Sequence, residues 1–316
     1  MINANGFSLK NGNVLFFNIF IKNSLLYLIT PLHKTDNNIN NISIKYNNNE
    51  LKTKEIIKKN QYEATQIIIY NFPFDNKQKY DISVTYNEIV KHYEFENCKM
   101  TKNKKLTLTT LFKTDYKLNK IFYDYYKKQG VEHFYMYYNG KINNEIRSYY
   151  NKSDITLIEW DFKYWNTNAK YSRHYAQLGQ MHDAIYRFGK NNTEYMIFCD
   201  LDEYIYNEKS KLIDLIKDTS VDTFGCINIF SSTLDGSVPN QFPTEFKIGE
   251  ELGYKKRSKC IHKMDSIIYI NIHYGIKYNK EMNLNTDCKM YHFHTWGGNN
   301  ITLYPTDKGI IKIEEI

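Results

Sequence analysis

The sequence predicts an α/β protein with a mostly parallel β-sheet, preceded by a small all-β domain. Three observations predict this fold. The first hundred residues contain short β-branched and aromatic runs separated by polar turns. From residue 104 onward, strand-like runs alternate with patterns of helical spacing, which is typical of parallel α/β sheets. Carboxylate and amide side chains follow the ends of several of these strands.

The N-terminal segment, residues 1–103, is predicted to form a β-sandwich of immunoglobulin-like size. Its apolar runs are broken by Asn, Asp and Lys, and they cover residues 14–21, 25–29, 41–46, 66–70 and 80–86. Several short strands with turn signals and little helical spacing favour a sandwich. Because no cluster of residues there indicates chemistry, we interpret this segment as an accessory or packing domain.

The remaining segment, residues 104–316, has the alternation of a parallel sheet. The predicted strands cover residues 106–112, 134–138, 155–158 and 195–199, and the predicted helices cover residues 118–129 and 172–188. Gly130 and Gly189 follow the two helices, as expected at helix ends. Open parallel sheets bind ligands at the carboxyl ends of their strands, so the residues after each strand are the functional candidates.

Charge and cysteine content exclude several classes of protein. The 42 Lys and Arg against 35 Asp and Glu give a net charge of +7, which favours anionic ligands. The basic residues do not form the stripe of a nucleic-acid-binding protein. Five scattered cysteines argue against a disulfide framework and for the cytoplasm or another reducing intracellular compartment. The most apolar stretch, residues 14–29, is too short to span a bilayer, so we expect a soluble protein.

The strongest chemical signal follows the predicted strand at 195–199. Asp200 and Asp202 are separated by one residue, and Glu203 is adjacent. Side chains two residues apart on an extended segment point the same way, so the two aspartates converge. Two such oxygen donors suit Mg²⁺ or Mn²⁺ that shares its other ligands with substrate phosphates. The competing interpretation is a solvated turn or a helix cap, because the D-x-D motif is short.

Three stretches carry further motifs in a fixed order. The first, residues 107–140, joins a strand and a helix to V-E-H-F-Y-M-Y-Y-N-G. The second, residues 179–204, joins G-Q-M-H-D to D-L-D-E-Y. The third, residues 230–273, contains F-S-S-T, then R-S-K-C-I-H, then a histidine, His273. Together they resemble glycosyltransferases of the GT-A fold, particularly glycosyltransferase family 92 and related family-2-like enzymes.

The resemblance implies inverting transfer of a sugar from a nucleotide sugar, with UDP favoured, to a hydroxyl acceptor on a glycan or a protein. It implies a nucleoside site where the first two strands end, at Thr114, Asp115 and Asn139. Gln180 and Asp183 match the family's helix and are assigned to the donor pocket.

The resemblance also implies a Mn²⁺ or Mg²⁺ site at Asp200 and Asp202, beside the donor diphosphate, with Asp202 as the more direct ligand. A C-terminal histidine completes the metal shell in many GT-A enzymes. His292 and His294 are the candidates, because residues i and i+2 on a strand face the same way.

Such a displacement needs positive charge at the leaving group and a base at the acceptor. Arg257 and Lys259 offer that charge, although a solvated basic face is an equal alternative. Asp235 is the predicted base, with Glu245 next. Leu234 and Asp235 replace the family's glycine-containing turn, so a plain D-G turn is the competing interpretation.

Two other functions stay open. A non-catalytic carbohydrate-binding or structural protein would keep the fold without transfer. A metal-dependent phosphotransferase or nuclease would need a second carboxylate cluster or a Gly-rich phosphate loop, and neither G-x-x-x-x-G-K-[ST] nor G-x-G-x-x-G occurs. Trp160, Tyr164 and Trp165 either stack on a sugar ring or belong to the core.

Overall fold

The computed structural model describes residues 2–32, 41–58, 65–74, 79–96, 103–167, 175–217, 219–233, 245–293 and 310–312. The predicted mixed α/β class is confirmed. A large central sheet, whose strands are parallel in one half, is accompanied by several antiparallel sheets.

The N-terminal strands are short and mostly antiparallel. They are β1 (Ile2–Asn3), β2 (Phe7–Ser8), β3 (Val14–Phe16), β4 (Asn18–Lys22), β5 (Leu25–Pro31), β6 (Ile42–Tyr46), β7 (Asn49–Glu50), β8 (Thr53–Ile57), β9 (Thr65–Asn71), β10 (Lys79–Tyr86) and β11 (Ile89–Glu96). The order β4-β5-β9-β8 forms one four-stranded sheet and β11-β10-β6-β7 another. The β6–β7 turn has Asn47 and Asn48 at φ of 49° and 61°, which asparagine tolerates better than most residues.

The remaining elements alternate between strands and helices before becoming mostly strands. They are β12 (Lys104–Phe112), α1 (Asn119–Lys128), β13 (His133–Tyr138), α2 (Asn144–Tyr149), β14 (Ile155–Glu159), α3 (Tyr175–Asp183), β15 (Thr193–Phe198), β16 (Glu203–Tyr206), α4 (Leu212–Leu215), β17 (Thr223–Thr233), β18 (Glu245–Leu252), β19 (Cys260–Lys263), β20 (Ile267–Ile270), β21 (Gly275–Tyr278), β22 (Leu284–Phe293) and β23 (Ile310–Lys312). A 3₁₀ turn (Tyr116–Leu118) precedes α1, and a π-helical turn (Ala184–Gly189) extends α3.

The central sheet has the order β1-β14-β13-β12-β15-β19-β17-β18-β23, and β22 pairs with β17 and β16. From β1 to β15 neighbouring strands are parallel. From β15 to β23 they are antiparallel. The alternating pattern predicted the parallel half. The antiparallel half comes from residues after 220, which carry no comparable alternation.

Helix α3 packs between the central sheet and the N-terminal β4–β5–β9–β8 sheet. A single buried cluster, here called the shared cluster, joins Phe17 and Ile67 of the N-terminal segment to Tyr175 of α3 and Met196 of β15. A second buried cluster belongs wholly to the N-terminal segment and includes Phe16. The domain boundary at residue 103 stays a prediction, although apolar contacts cross it extensively.

Two further findings concern cysteines and membranes. The four cysteines in the described residues, Cys199, Cys226, Cys260 and Cys288, are buried free thiols. The reducing compartment stays a prediction. Across the described ranges, no helix is both long enough and apolar enough to cross a membrane.

Candidate active site

A cleft of about 490 Å³ opens where β12, β13, β14 and β15 end. This edge is where open parallel sheets bind their ligands, and small-molecule sites have volumes of about 300–1,000 Å³. The lining side chains come from the segments after these strands, from α3 and from β22: Leu111, Phe112, Lys113, Asp115, Asn139, Tyr164, Trp165, Gln177, Asp200, Asp202 and His292. The structure thus brings together five of the predicted site residues.

Asp200 is held by two side chains from different elements. Gln177 of α3 donates from Nε2 to Oδ1 at 2.8 Å, and Lys259 donates from Nζ to Oδ2 at 2.6 Å. Lys259 directly precedes β19, whose Cys260 pairs with Phe198 of β15, so strand register brings the ammonium to the carboxylate. Because each oxygen has a donor, the Asp200 carboxylate is fixed in orientation.

Lys259 also forms an ion pair with Glu203 beneath the cleft. Lys259 Nζ lies 3.2 Å from Glu203 Oε2, and the two side chains are 4% and 1% exposed. Burial raises the pKa of Glu203 to about 7. The nearby Lys259 lowers this pKa, but repulsion from Asp200 raises it and offsets part of that effect. Burial lowers the pKa of Lys259, but the carboxylates of Asp200 and Glu203 outweigh it and hold the pKa above its usual value. The positive charge of Lys259, which was predicted to contact a diphosphate, neutralises the carboxylates of Asp200 and Glu203 in this structure.

Asp202 and His292 face each other across the cleft wall. Their strands are antiparallel neighbours, with Glu203 of β16 paired to His292 of β22. His292 Nε2 lies 3.7 Å from Asp202 Oδ2, and His292 Nδ1 lies 3.7 Å from Glu203 Oε1. Burial raises the pKa of Asp202, but His292 outweighs it and the pKa is lowered overall. The Phe230 ring stacks on His292 with centroids 4.9 Å apart, which sets the imidazole plane.

Asp115 supplies a third carboxylate to the cleft. Its Oδ1 accepts the backbone N–H of Lys113 at 3.0 Å, which fixes the side chain within its turn. Burial raises the pKa of Asp115 to about 6, and repulsion from Asp202 and Asp200 adds to the increase. Thr114 is exposed and is not among the described lining residues. The cleft therefore carries more carboxylates than cations.

The three aromatic candidates after β14 have different roles. Trp160 is fully buried and belongs to the core. Tyr164 is partly buried, and its hydroxyl donates to Gln177 Oε1 at 2.8 Å. Trp165 is 56% exposed at the cleft and lies edge-on to Tyr164, with ring centroids 5.4 Å apart. Asn139 donates from Nδ2 to the carbonyl of Trp160 at 2.9 Å and thereby anchors the loop that carries the other two aromatics.

Several predicted residues lie outside the cleft. Gln180 is 1% exposed and donates to Thr109 Oγ1 at 2.7 Å, and Asp183 is fully buried, so neither lines the cleft. Arg257 is exposed, with its guanidinium 5.8 Å from the centre of the Phe230 ring. Asp235 and His294 fall outside the described residues, and Glu245 lies in β18 with its side chain undescribed.

Sequence reasoning missed Gln177 as a functional residue. It lies three positions before Gln180 on the same helix, and only the direction in which α3 packs decides which of the two faces the cleft. Tyr164 and Asp200 bond to opposite ends of the Gln177 amide. No feature of the sequence separates the two glutamines, because both are polar residues on a helix whose residues are all buried.

Asp202 and His292 are the two lining side chains that could hold a divalent cation together. Adjacent ligands of an octahedral ion at about 2.1 Å lie about 3 Å apart, so Asp202 Oδ2 and His292 Nε2, which are 3.7 Å apart, would have to move closer to bind one ion. Their separation is also too long for a hydrogen bond. No three His, Cys, Asp or Glu side chains within the described ranges form a metal-binding group. Mg²⁺ and Mn²⁺ commonly take one or two protein ligands and fill the shell with phosphate and water.

The fold and the cleft agree with the comparison to known families. Residues 120–296 match the family model of glycosyltransferase family 92. A mixed α/β fold with this match and a polar cleft at its strand ends defines a glycosyltransferase, which acts on a nucleotide sugar and an acceptor. Because the match spans more than half of the 316 residues, the chain belongs to glycosyltransferase family 92. No curated protein matches the chain.

Proposed function

We propose that this glycosyltransferase is a metal-dependent, inverting enzyme of the GT-A type that transfers a sugar from a UDP-sugar to a hydroxyl group of a glycan or a protein. The observation that carries the proposal is the convergence of Asp115, Asp200, Asp202 and His292 in one cleft at the ends of parallel strands. Residues 104–316 are the catalytic domain in this proposal, and the N-terminal antiparallel sheets are an immunoglobulin-like sandwich.

The charge balance of the cleft supports metal dependence. A diphosphate is anionic, and three carboxylates line the cleft against one lysine, Lys113, while Lys259 is already paired beneath it. The anionic donor would be repelled unless a cation came with it. Asp202 and His292 are the residues that would hold Mn²⁺ or Mg²⁺, and the ion would neutralise the departing diphosphate.

In this proposal, residues of the chain bind the donor, orient the Asp200 carboxylate and deprotonate the acceptor hydroxyl. Gln177 and Lys259 fix the Asp200 carboxylate, while Asp115 and Asn139 line the nucleoside side. Asp235 takes the proton of the acceptor hydroxyl while the acceptor oxygen forms a bond to the anomeric carbon of the donor sugar. The bond from that carbon to the diphosphate oxygen breaks, and UDP leaves with the electron pair. Attack opposite the leaving group inverts the anomeric configuration.

A panel of nucleotide sugars with and without Mn²⁺ tests the proposal. We expect one UDP-sugar to raise the melting temperature and to release UDP slowly, because water can replace the acceptor. Addition of a chelator should abolish both effects. A flat response to every UDP-sugar in the presence of Mn²⁺ would contradict the proposed donor and the proposed metal.

Asp235→Asn tests the proposed base. Transfer should fall by about 100-fold or more, because general-base catalysis is lost, whereas UDP binding should be unchanged. Initial rates of transfer and calorimetric UDP affinity measure the two effects separately. Retained transfer would remove Asp235 from this role and make Glu245 the next residue to substitute.

Trp165→Ala tests the aromatic side chain at the cleft. We propose that the exposed indole stacks on the donor's nucleobase, since base stacking on an aromatic ring contributes about 1–3 kcal/mol. The variant should bind UDP about tenfold more weakly and lose part of the UDP-dependent change in tryptophan fluorescence. Val90→Ser is the matched control, because Val90 is 52% exposed on β11 and is absent from the cleft lining. Equal UDP affinity in both variants would reject the stacking role.

A further inference from the structure

Phe17, which links β3 to β4, packs against two elements that carry residues of the cleft, the loop after β14 and helix α3. It is fully buried, and its ring lies 5.6 Å from that of Trp160 and 4.9 Å from that of Tyr175. A methyl group added at Gly179 would lie 2.5 Å from the Phe17 ring. Helix α3 can therefore sit this close only because position 179 has no side chain.

Strand β4 adds side-chain hydrogen bonds to α3 and to the turn that follows it. The helix itself packs on β5 and β9 of the same sheet. Asn18 Nδ2 donates to Asp183 Oδ1 at 2.7 Å, and both side chains are fully buried. Lys22 Nζ donates to the carbonyls of Tyr186 and Arg187 at 3.1 and 3.0 Å, in the π-helical turn. Contacts from β4 and the residue before it thus run from the first turn of α3 to its end.

The two elements that contact Phe17 carry three residues of the cleft. Tyr164 and Trp165 follow Trp160 in the loop after β14, and Gln177 lies in α3. Gln177 is the side chain that donates to Asp200 Oδ1. The N-terminal segment therefore contacts the elements that orient Asp200, although the cleft's described lining residues come from the rest of the chain.

We propose that the N-terminal β-segment is part of the catalytic unit, with Phe17 as a positioning residue that keeps Gln177 on Asp200. The expected effect on kcat rests on the proposed function, whereas the expected effect on the position of α3 does not. Without the Phe17 ring, α3 can shift into the cavity that the ring leaves. A displacement of about 1 Å near reacting groups costs up to about 100-fold in rate. Buried interiors transmit such shifts because they are closely packed.

Adjacent phenylalanines provide the test. Phe16 and Phe17 are both fully buried, but Phe16 packs in the N-terminal cluster, 5.7 Å from the ring of Phe7. Phe17→Leu and Phe16→Leu remove the same atoms, so they should lower the melting temperature by similar amounts. At a temperature well below both transitions, Phe17→Leu should reduce kcat about tenfold, and Phe16→Leu less than about twofold. In a Gln177→Ala background, Phe17→Leu should cause little further loss, because the two residues act through one contact.

Hydrogen exchange of α3 supplies a readout that needs no donor. Phe17→Leu should speed exchange in peptides that cover α3, and Phe16→Leu should not. If Phe17→Leu does not fold, Asn18→Ala takes its place with the same readouts. Equal exchange and equal kcat in the Phe17 and Phe16 variants would overturn the inference. If the wild type uses no UDP-sugar, the proposed function fails alone, and exchange then decides whether Phe17 positions α3.

Discussion

Asp202→Ala should abolish Mn²⁺-dependent binding of UDP while leaving the fold intact. The Asp202 side chain is 17% exposed, and its carboxylate is the oxygen donor proposed for the ion. The backbone carbonyl of Asp202, which accepts the N–H of Phe293 at 2.9 Å, is retained in the variant. We expect UDP affinity in Mn²⁺ to fall by at least about 100-fold, since even outer-shell changes cost 10–100-fold in metal affinity.

The metal-free protein should keep its fold with little change in melting temperature. Asp202→Ala removes repulsion from the partly buried Asp115, whose pKa is raised to about 6, but it also removes the attraction of His292 that lowers the pKa of Asp202. Because these two effects oppose each other, we expect a shift of only a few degrees. Asp161→Ala is the control, because this aspartate is 48% exposed and pairs with Lys141 outside the cleft lining. Calorimetric titration of UDP with Mn²⁺ and with chelator separates the outcomes. Unchanged UDP affinity in Asp202→Ala would remove the metal assignment.

Lys259→Met should cause the largest loss of stability. The ammonium is the cation in contact with both Asp200 and Glu203, and Glu203 is 1% exposed. Loss of one partner of a buried ion pair leaves an uncompensated charge and costs about 3–5 kcal/mol in the free energy of unfolding. Urea denaturation measures this cost. Lys141→Met is the control, because Lys141 is 77% exposed beside Glu159 and should contribute less than about 1 kcal/mol.

The deficit of Lys259→Met should depend on pH. The pKa of Glu203 is about 7 in the folded protein, above the value of 4.5 for a free side chain, and it should rise further without Lys259. The folded variant then binds this proton at a higher pH than the wild type does, so its deficit should narrow as the pH falls toward about 7 and change little below that value. A deficit that stays constant between about pH 9 and pH 7 would show that Glu203 does not carry the unpaired charge.

The sequence was sufficient to predict which polar side chains meet at the ends of the parallel strands. Asp115, Asn139 and Asp200 each follow a parallel strand, and such strands end at the same edge of a sheet. Their convergence therefore required only the assignment of strands, which the apolar runs supported. Asp202 lines the cleft with Asp200 as expected, but the reason differs from the period of two along a strand. Residues 200–203 form a turn closed by the Glu203 N–H and the Asp200 carbonyl at 3.1 Å.

The sequence was not sufficient to predict the partners of those carboxylates. Lys259 was predicted to contact a diphosphate, and this stays a prediction; its ion pairs with Asp200 and Glu203, which depend on the register of β19 against β15, were not predicted. Gln180 was favoured over Gln177 because it matches the family's helix, and a helix buried on all sides has no polar face that indicates its orientation. The apolar run at residues 14–21 indicated one strand containing Phe17. In the structure this run divides into β3 and β4, and the neighbouring Phe16 and Phe17 belong to different buried clusters.

The pairing of β1 with β14 has a consequence for how the chain is made on the ribosome. Ile2 and Asn3 pair with Ile158 and Glu159, so β1 can join the central sheet only after residues up to 159 have emerged. The buried side chains of β4 must wait even longer, until α3 has been translated. Folding from the N-terminus in order of synthesis therefore leaves aromatic surface uncovered, and contacts at this sequence separation close slowly. We therefore expect chaperones that bind exposed apolar strands to bind the nascent N-terminal half.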